Sequence, residues 1–304
     1  MRRLILITGP TGSGKSDLSV RLAKKLNTEV ISADSVQVYR GFDIGSGKVT
    51  AEDMRGVRHH LIDTKDPTEF YSAADFYEEA MPIVDELNRA GKIPIICGGT
   101  ALYIHGLIYN LDFTNKPSMA LRRKLNARYE EEGLESLVRL LEEKNPELAE
   151  KTALDNPRRV IRAIERLESG KVETETLRQK RKDVDPLYFI LNWERETLYD
   201  RINRRVLKMV DEGLFEEVTS LYDTYGGDIK PMSAIGYKEI VRYLRGEWEK
   251  ETAIEKIQQH TRNFAKRQQT WFKKEEDGIP VDMNAHSEED AVDIILEIVR
   301  KHYE

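Results

Sequence analysis

Residues 9–16 read Gly-Pro-Thr-Gly-Ser-Gly-Lys-Ser and stand between an apolar run and a stretch with helical periodicity. The run Leu4–Thr8 has the apolar, β-branched make-up of a buried parallel strand. After the glycines, Leu18, Leu22 and Leu26 recur on one face of a helix. A glycine-rich turn between a strand and a helix points backbone amides, and the positive end of the helix, at an anion. The segment is therefore a complete Walker A signature, which binds a diphosphate or a polyphosphate.

Each residue of this loop has an expected role. Gly9, Gly12 and Gly14 permit the backbone turns, and Lys15 supplies a positive charge for a terminal phosphate. Ser16 offers a hydroxyl to Mg²⁺ and is the predicted metal ligand. The predicted diphosphate site within the loop consists of Gly9, Pro10, Thr11, Gly12, Ser13, Gly14, Lys15 and Ser16. The order strand, loop, helix disfavours the alternative of a glycine-rich turn without a ligand.

Composition limits the class of protein. A chain of 304 residues is long enough for one large domain with an insertion, or for two domains. The single cysteine, Cys97, excludes intrachain disulfides and cysteine-based zinc sites, and its apolar surroundings make it a core residue. No apolar run reaches the length of a membrane span, and the first residues are too polar for a signal peptide. We therefore expect a soluble, cytoplasmic protein that does not associate with membranes.

Positive charge is segregated along the chain, although the net charge is -6. Basic clusters occur at Arg158, Arg159, Arg162 and Arg166, at Lys180–Lys182, and between His260 and Lys274. Aromatic residues interleave with the last of these clusters. A solvated helix face would explain any one cluster, whereas three clusters together favour a surface for a phosphate backbone.

The order of elements predicts an α/β fold with a parallel sheet of the P-loop type and helices on both faces. The first 110 residues alternate strand and helix, which is typical of such a sheet. From Leu121 to about Arg181 the pattern is purely helical and highly charged, and Leu187–Trp193 returns as an apolar strand. We therefore predict a P-loop catalytic core in residues 1–115 and 187–304, with an inserted all-helical subdomain in residues 116–186.

Two polar residues follow predicted strands, at the sheet edge where ligands bind in open α/β folds. Asp34 ends the run that begins at Val30, and Thr100 follows two glycines after the strand Ile93–Gly98. That later strand carries no acid at its end, unlike the Walker B strand of common hydrolases and kinases. A carboxylate beside a phosphate loop can hold a metal or act as a base. Because Asp and Thr are also good helix N-caps, a structural role remains open for both.

Nine motifs are spread over almost the whole chain. They are GPTGSGKS (9–16), DSVQVYRGFDIGSGK (34–48), HHLID (59–63), YSAADF (71–76), CGGTALY (97–103), NPRRVIRAIE (156–165), RINRRVLKM (201–209), SAIGYKE (233–239) and TRNFAKRQQTWF (261–272). In order and spacing the set resembles the tRNA dimethylallyltransferases (tRNA isopentenyltransferases), in their shorter bacterial form. One departure is Ser46-Gly47-Lys48, where the family pattern has Thr-Ala-Lys. The Walker loop alone would be weak evidence for this family, but the set is specific.

The resemblance implies a reaction, its cofactor and its partners. A dimethylallyl group moves from dimethylallyl diphosphate to the exocyclic amine of the adenosine just 3′ of the tRNA anticodon (position 37), which gives N6-isopentenyladenosine and diphosphate. The implied cofactor is Mg²⁺, the implied partners are the prenyl donor and the anticodon stem-loop of tRNA, and the protein is expected to be a monomer.

The resemblance also implies residue roles. Asp34 matches the acid that takes the proton from the adenine amine, Thr100 a threonine near the reacting atoms, and Arg205 a further diphosphate ligand. The residues implied to contact tRNA are Asp34, Ser35, Val36, Gln37, Thr100, Arg122, Arg159, Val160, Ile161, Arg162 and Ala163.

Three other functions remain open at the level of sequence. A small-molecule P-loop kinase would turn over ATP, but it leaves the basic clusters unexplained. An isopentenyltransferase acting on free adenine nucleotides has little use for an arginine-rich insertion. A non-catalytic RNA-binding P-loop protein would not need Asp34 and Thr100 together.

Overall fold

The structure is a computed structural model that describes residues 1–111, 118–170 and 179–303. It divides into two compact units. The core unit comprises Met1–Ile108 and Arg181–Glu304, and the helical unit comprises Tyr109–Lys180. The first predicted domain boundary, between residues 115 and 116, lies outside the described residues. The second predicted boundary, between residues 186 and 187, falls inside a strand that begins at Val184.

The core unit is built on a parallel sheet. Its six strands are β1 (Arg2–Thr8), β2 (Val30–Ser32), β3 (His59–His60), β4 (Ile95–Cys97), β5 (Val184–Asn192) and β6 (Ile279–Asp282). Their order across the sheet is β3-β2-β4-β1-β5-β6, and every pair of neighbours is parallel. The central residues of β1, Leu4–Ile7, are fully buried. The predicted α/β class with a parallel sheet is confirmed.

Helices connect and cover these strands. In chain order they are α1 (Lys15–Leu26), α2 (Ala51–Met54), α3 (Ala73–Arg89), α4 (Ala101–Ile108), α5 (Met119–Glu132), α6 (Leu134–Lys144), α7 (Pro146–Glu150), α8 (Pro157–Glu168), α9 (Arg195–Asp211), α10 (Leu214–Tyr225), α11 (Tyr237–Leu244), α12 (Lys250–Phe272) and α13 (Glu288–Tyr303). A short 3₁₀ helix spans Lys230–Ser233. In the described part of the chain, no helix has both the length and the apolar character needed to cross a bilayer.

Strand β5 is longer than the sequence pattern predicts. It begins at Val184 and contains Pro186, which lies opposite Leu4 of β1. Proline lacks a backbone N–H and is rare inside sheets, so the apolar pattern places the start of the strand after it. The pairing with β1 nevertheless runs from Val184 to Ile190 without interruption at the proline.

The helical unit contains α5 to α8 around an apolar core of its own. The buried side chains of this core are Leu125, Leu137, Leu141, Leu148, Ala149, Val160, Ile161, Ala163 and Ile164. Asn145 and Asn156 cap α7 and α8 through their side chains, and each cap is followed by a proline in the first turn. The predicted continuation of this helical pattern across residues 171–178 lies outside the described residues.

Candidate active site

The loop between β1 and α1 has the backbone conformation that anion binding requires. Gly9, Gly12 and Gly14 adopt φ values of 146°, 80° and 88°, a region that residues with side chains rarely enter. At Gly9 a Cβ atom would also lie 2.8 Å from the carbonyl oxygen of Leu191 in β5. Gly14 directly precedes α1, so the loop leads into the positive end of this helix.

Two half-buried cations, Lys15 and Arg205, lie beside the loop. The pKa of Lys15 is lowered to about 8, chiefly by burial and also by the charge of Arg205, while Cys97 and Asp34 act in the opposite direction. Burial also lowers the pKa of Arg205, again opposed by Asp34. Lys15 Nζ donates to the carbonyl of Pro10 at 2.7 Å, and Arg205 donates to the Thr11 hydroxyl at 3.1 Å. Half-buried positive charges of this kind are stabilised when an anion binds.

An open cavity of about 530 Å³ lies in front of the loop. It is lined by residues Gly12, Ser13, Gly14, Lys15, Ser16 and Asp17 on one side, and by Arg201, Arg204, Arg205 and Lys208 of α9 on the other. The four side chains from α9 are all basic. The loop amides and the basic helix face together form a cleft suited to a diphosphate.

Asp34 and Thr100 lie together at the neighbouring strand ends. The Thr100 hydroxyl accepts a hydrogen bond from the backbone N–H of Ser35 at 3.2 Å, and the Thr100 N–H donates to Ala33 O at 3.3 Å. Asp34 Oδ1 accepts from the N–H groups of Val36 and Gln37, at 2.8 and 3.3 Å. Asp34 therefore closes a turn through one carboxylate oxygen. Among the described residues, no hydrogen bond engages the other oxygen, Oδ2.

The segment after Asp34 packs against Arg205. Gln37 is buried, and its amide donates to the carbonyls of Ser46 and Gly47 at 3.4 and 3.2 Å. A Cβ atom at Gly47 would lie only 1.7 Å from a terminal nitrogen of Arg205, so glycine permits this close approach. Glycine at the position where the family pattern has alanine thus places the backbone directly beside the Arg205 guanidinium.

One carboxylate that the sequence analysis missed holds this segment in place. Glu217 of α10 accepts hydrogen bonds from the backbone N–H groups of Asp43, Ile44 and Gly45, at 3.1, 2.6 and 3.0 Å. It also accepts one from the Tyr237 hydroxyl at 2.8 Å. No local spacing signals this role, because α10 is more than 160 residues away in the chain.

Three further side chains that sequence reasoning did not single out form hydrogen bonds with the backbone of the loop. The indole N–H of Trp193 donates to Ser13 O at 3.0 Å, and Arg201 Nε donates to Gly12 O at 3.0 Å. The Arg201 guanidinium lies over the Trp193 ring, 4.4 Å from its centroid. Gln268 Oε1 accepts from the backbone N–H of Thr11 at 2.9 Å. These contacts hold the loop backbone at Thr11, Gly12 and Ser13.

The remaining predicted tRNA contacts lie in the helical unit. Arg122 forms a two-bond pair with Glu165, at 2.7 Å for both nitrogens, and Arg162 lies 3.3 Å from the same carboxylate. Glu165 is buried, whereas Arg159 and Arg162 are exposed. The side chains of Val160, Ile161 and Ala163 pack into the core of the unit. Contacts of these three residues with tRNA would therefore have to use their backbone, whereas Arg122, Arg159 and Arg162 remain predicted contacts through their side chains.

Fold and site together define a phosphate-loop α/β protein with a basic cleft in front of the loop and a carboxylate, Asp34, after a strand of the same sheet. The sequence model of the IPP transferase family matches residues 37–275. The chain belongs to the IPP transferase family.

Individual relatives are similar over nearly the whole chain. The chain is 45% identical to the tRNA dimethylallyltransferase of Exiguobacterium sp. over 285 residues, which cover 93% of this chain and 91% of the relative. Among solved structures, it is similar to the tRNA isopentenylpyrophosphate transferase of Bacillus halodurans, with 40% identity, a TM-score of 0.75 and coverage of 99% of this chain and 97% of the other. A eukaryotic dimethylallyltransferase acting on tRNA matches with 30% identity and a TM-score of 0.84, covering 99% of this chain and 80% of the other.

Proposed function

We propose that the protein transfers the dimethylallyl group of dimethylallyl diphosphate to the exocyclic amine of the adenosine at tRNA position 37. The relatives named above support this substrate pair. The observation in the structure that carries the proposal is that Lys15 and Arg205 line the same cleft in front of the phosphate loop, while Asp34 follows strand β2 of the same sheet. A leaving diphosphate and an amine that must lose a proton need this combination of charges.

The cleft stabilises the leaving group. As the bond between the allylic carbon and the diphosphate oxygen breaks, negative charge grows on the diphosphate. The loop amides, Lys15 and Arg205 stand where this charge develops, and preorganised donors of this kind lower the barrier strongly. Ser16 and the diphosphate oxygens would provide oxygen ligands of the kind that Mg²⁺ prefers, and the bound ion would neutralise further negative charge.

Asp34 receives the proton. The amine nitrogen forms a bond to the allylic carbon while the bond to the diphosphate oxygen breaks, and the extra proton on nitrogen moves to the carboxylate. Oδ1 of Asp34 is held by the turn to Val36 and Gln37, which leaves Oδ2 for the proton. Thr100 is fixed beside it through the N–H of Ser35. Because a stacked base cannot reach this site, the adenosine must be flipped out of the anticodon loop.

The helical unit supplies RNA affinity in this proposal. Unstacking a base costs a few kcal/mol, which contacts elsewhere on the RNA must offset. Arg158, Arg159 and Arg162 of α8 are exposed and carry the positive charge that a phosphate backbone requires.

The proposal is tested by comparing acceptors of a labelled dimethylallyl group. We expect transfer to unmodified tRNA, little transfer to AMP or ADP, and no consumption of ATP. Transfer to the free nucleotides but not to tRNA would favour the nucleotide isopentenyltransferase instead, and ATP turnover coupled to product would favour a kinase.

Asp34→Asn examines the base directly, because Asn can still accept the hydrogen bonds of the turn. We expect its turnover to fall by about 10²–10⁴-fold, with tRNA and pyrophosphate affinities close to those of the parent. The matched control is Asp66→Asn, since Asp66 Oδ1 closes a similar turn to the N–H of Thr68, at 3.0 Å, outside the cleft. An Asp34→Asn enzyme as active as the control would remove Asp34 from the mechanism.

A further inference from the structure

Gln268 joins the two loops that carry the reacting groups. Its side chain is buried. Its Oε1 accepts from the backbone N–H of Thr11 at 2.9 Å, and its Nε2 donates to the carbonyl oxygen of Gly99 at 3.0 Å. The first contact is to the diphosphate loop after β1, and the second is to the residue before Thr100 at the end of β4.

We propose that Gln268 is a positioning residue. It sets the distance between the phosphate loop, residues 9–16, and the Thr100 loop, residues 98–100. The proposal rests on the proposed function, because in that reaction one loop binds the prenyl donor and the other lies beside the acceptor amine. The reacting carbon of the donor is held through its diphosphate at the phosphate loop, while the acceptor amine lies beside the Thr100 loop. Misplacement of reacting groups by about 1 Å can cost about 10²-fold in rate.

The amide side chain of Gln268 can accept one hydrogen bond and donate another, as a link between two backbone segments requires. One end of the contact is an N–H and the other a carbonyl, so only a group with both an acceptor and a donor satisfies the two. An amide provides this pair without a net charge beside the diphosphate. A Cβ atom at Gly99 would lie 2.5 Å from Gln268 Nε2, so glycine is needed for this contact as well.

Through Thr11, Gln268 is also linked to Arg205, which is proposed to bind the diphosphate. The Thr11 backbone is held by Gln268, and the Thr11 hydroxyl accepts from Arg205 at 3.1 Å. A displacement of Thr11 would therefore also move the Arg205 guanidinium. The N–H of Thr11 is engaged by Gln268 and is not free to point at the diphosphate.

The helix that carries Gln268 is firmly anchored. One turn before it in α12, Ala265 packs with Leu198 and Ile202 of α9, and all three are fully or almost fully buried. One turn after it, Phe272 is buried. Because this part of α12 is packed on both sides of Gln268, the side chain has a fixed position from which it can hold the two loops.

The test uses the full chain with Gln268→Met, which has a similar length and shape but can make neither hydrogen bond. Gln258→Met is the matched control, because Gln258 lies on the same helix and also donates to a backbone carbonyl, that of Asn203, at 3.3 Å. Binding of inorganic pyrophosphate is measured by calorimetry and needs no turnover. Turnover is measured with saturating donor and tRNA, and tRNA affinity is measured separately.

We expect Gln268→Met to bind pyrophosphate more weakly and to reduce kcat by about tenfold or more, with tRNA affinity unchanged and Gln258→Met like the parent. Thermal unfolding verifies that the variants fold. If the Met variant does not fold, Gln268→Asn replaces it, since the shorter amide cannot span both loops, and the same losses are expected.

A double-mutant cycle separates positioning from a general structural effect. If Gln268 acts through the Thr100 loop, its substitution changes kcat much less in a Thr100→Val background than in the parent. Fold-changes in kcat that multiply independently, or a Gln268→Met enzyme with the pyrophosphate affinity and kcat of the parent, would overturn the proposal. A parent enzyme that transfers nothing to tRNA would contradict the proposed function instead, and the pyrophosphate measurement would still report on the link made by Gln268.

Discussion

Lys15 and Arg205 hold positive charge in a part of the core unit where burial works against it. The pKa of Lys15 is lowered to about 8 from an ordinary value of 10.5, first by burial and then by the neighbouring guanidinium. Arg205 keeps its charge despite the lowered pKa, because a guanidinium does not deprotonate in proteins. The two residues therefore respond differently to pH, and only Lys15 titrates in an accessible range.

The lowered pKa of Lys15 predicts that diphosphate affinity depends on pH. Above about pH 8 the lysine of the empty site loses its proton, and it must regain that proton to pair with the diphosphate. We expect the association constant for pyrophosphate to fall by up to about tenfold per pH unit above this point. Calorimetric titrations across this range measure it.

Lys15→Arg is the control for this prediction, because its guanidinium does not titrate. The ratio of the parent's affinity to that of this variant also cancels the titration of pyrophosphate itself. A ratio that stays constant between about pH 7 and pH 9.5 would contradict the lowered pKa of Lys15.

At the scale of elements, the ends of β2 and β4 approach so closely that no side chain fits between them. A Cβ atom at Gly98 would lie 2.2 Å from the carbonyl oxygen of Ala33. The residues after Ala33 and Gly98 include Asp34 and Thr100, so the glycine also brings these two side chains together. Since the close atom belongs to the backbone, it cannot rotate away.

Gly98→Ala is expected to lower the free energy of unfolding by about 1–3 kcal/mol, because it overpacks two adjacent strand ends. Transfer activity should fall as well, since Asp34 and Thr100 are pushed apart. Chemical denaturation and turnover assays measure the two effects.

Gly91→Ala is the comparison for Gly98→Ala. Gly91 has a φ of 73°, and no described atom lies within 4 Å of its Cβ position. It therefore reports the conformational penalty of alanine alone, with activity retained. A Gly98→Ala protein as active as the Gly91→Ala protein would contradict the steric argument.

A second element-scale feature is the contact between α5 and α8 in the helical unit. Glu165 has only 2% of its side chain exposed and is paired with Arg122, whose side chain is 28% exposed. Arg122→Ala leaves a buried carboxylate with Arg162 alone, and we expect a loss of about 3 kcal/mol in the free energy of unfolding. The double variant with Glu165→Gln should recover part of this loss, because the buried group is then neutral.

Arg128→Ala is the control for this pair. Arg128 and Glu132 form an exposed pair one turn apart on α5, which contributes about 0.5 kcal/mol or less. Denaturation curves compare the variants. If Arg122→Ala unfolds like Arg128→Ala, the Glu165 pair does not stabilise the helical unit.

At the scale of the whole molecule, positive charge is concentrated although the net charge is -6. Arg158, Arg159 and Arg162 are exposed on α8. The affinity for a substrate with a phosphate backbone depends more on this local positive charge than on the net charge of the chain, because each phosphate contact releases bound counterions.

Arg159→Ala is expected to weaken tRNA binding and to reduce the dependence of log affinity on log salt concentration by about 0.7–0.9. Equilibrium binding at several salt concentrations measures this slope. Lys301→Ala, an exposed charge near the end of α13, should leave the slope unchanged. An Arg159→Ala slope equal to that of the parent would exclude Arg159 as a phosphate contact.

The amino-acid sequence by itself determined the features that contiguous residues carry. The phosphate loop could be predicted because its glycines, Lys15 and Ser16 stand together between a strand and a helix. The alternation of strands and helices, the helical insertion and the positions of Asp34 and Thr100 after strands also follow from local periodicity. The four-residue helix α2 and the 3₁₀ helix at Lys230–Ser233 were not predicted, because segments this short show no periodicity.

Only the tertiary structure decided what surrounds the loop. Trp193, Arg201, Glu217 and Gln268 come from the second half of the chain, and no spacing in the sequence records which of their atoms meet which loop. The same holds for the inward-facing side chains of α8, where the match of a motif could not separate buried from exposed positions. Hydrogen bonds between segments depend on how helices pack on the sheet, and this packing arises from the burial of the whole core rather than from local residue patterns.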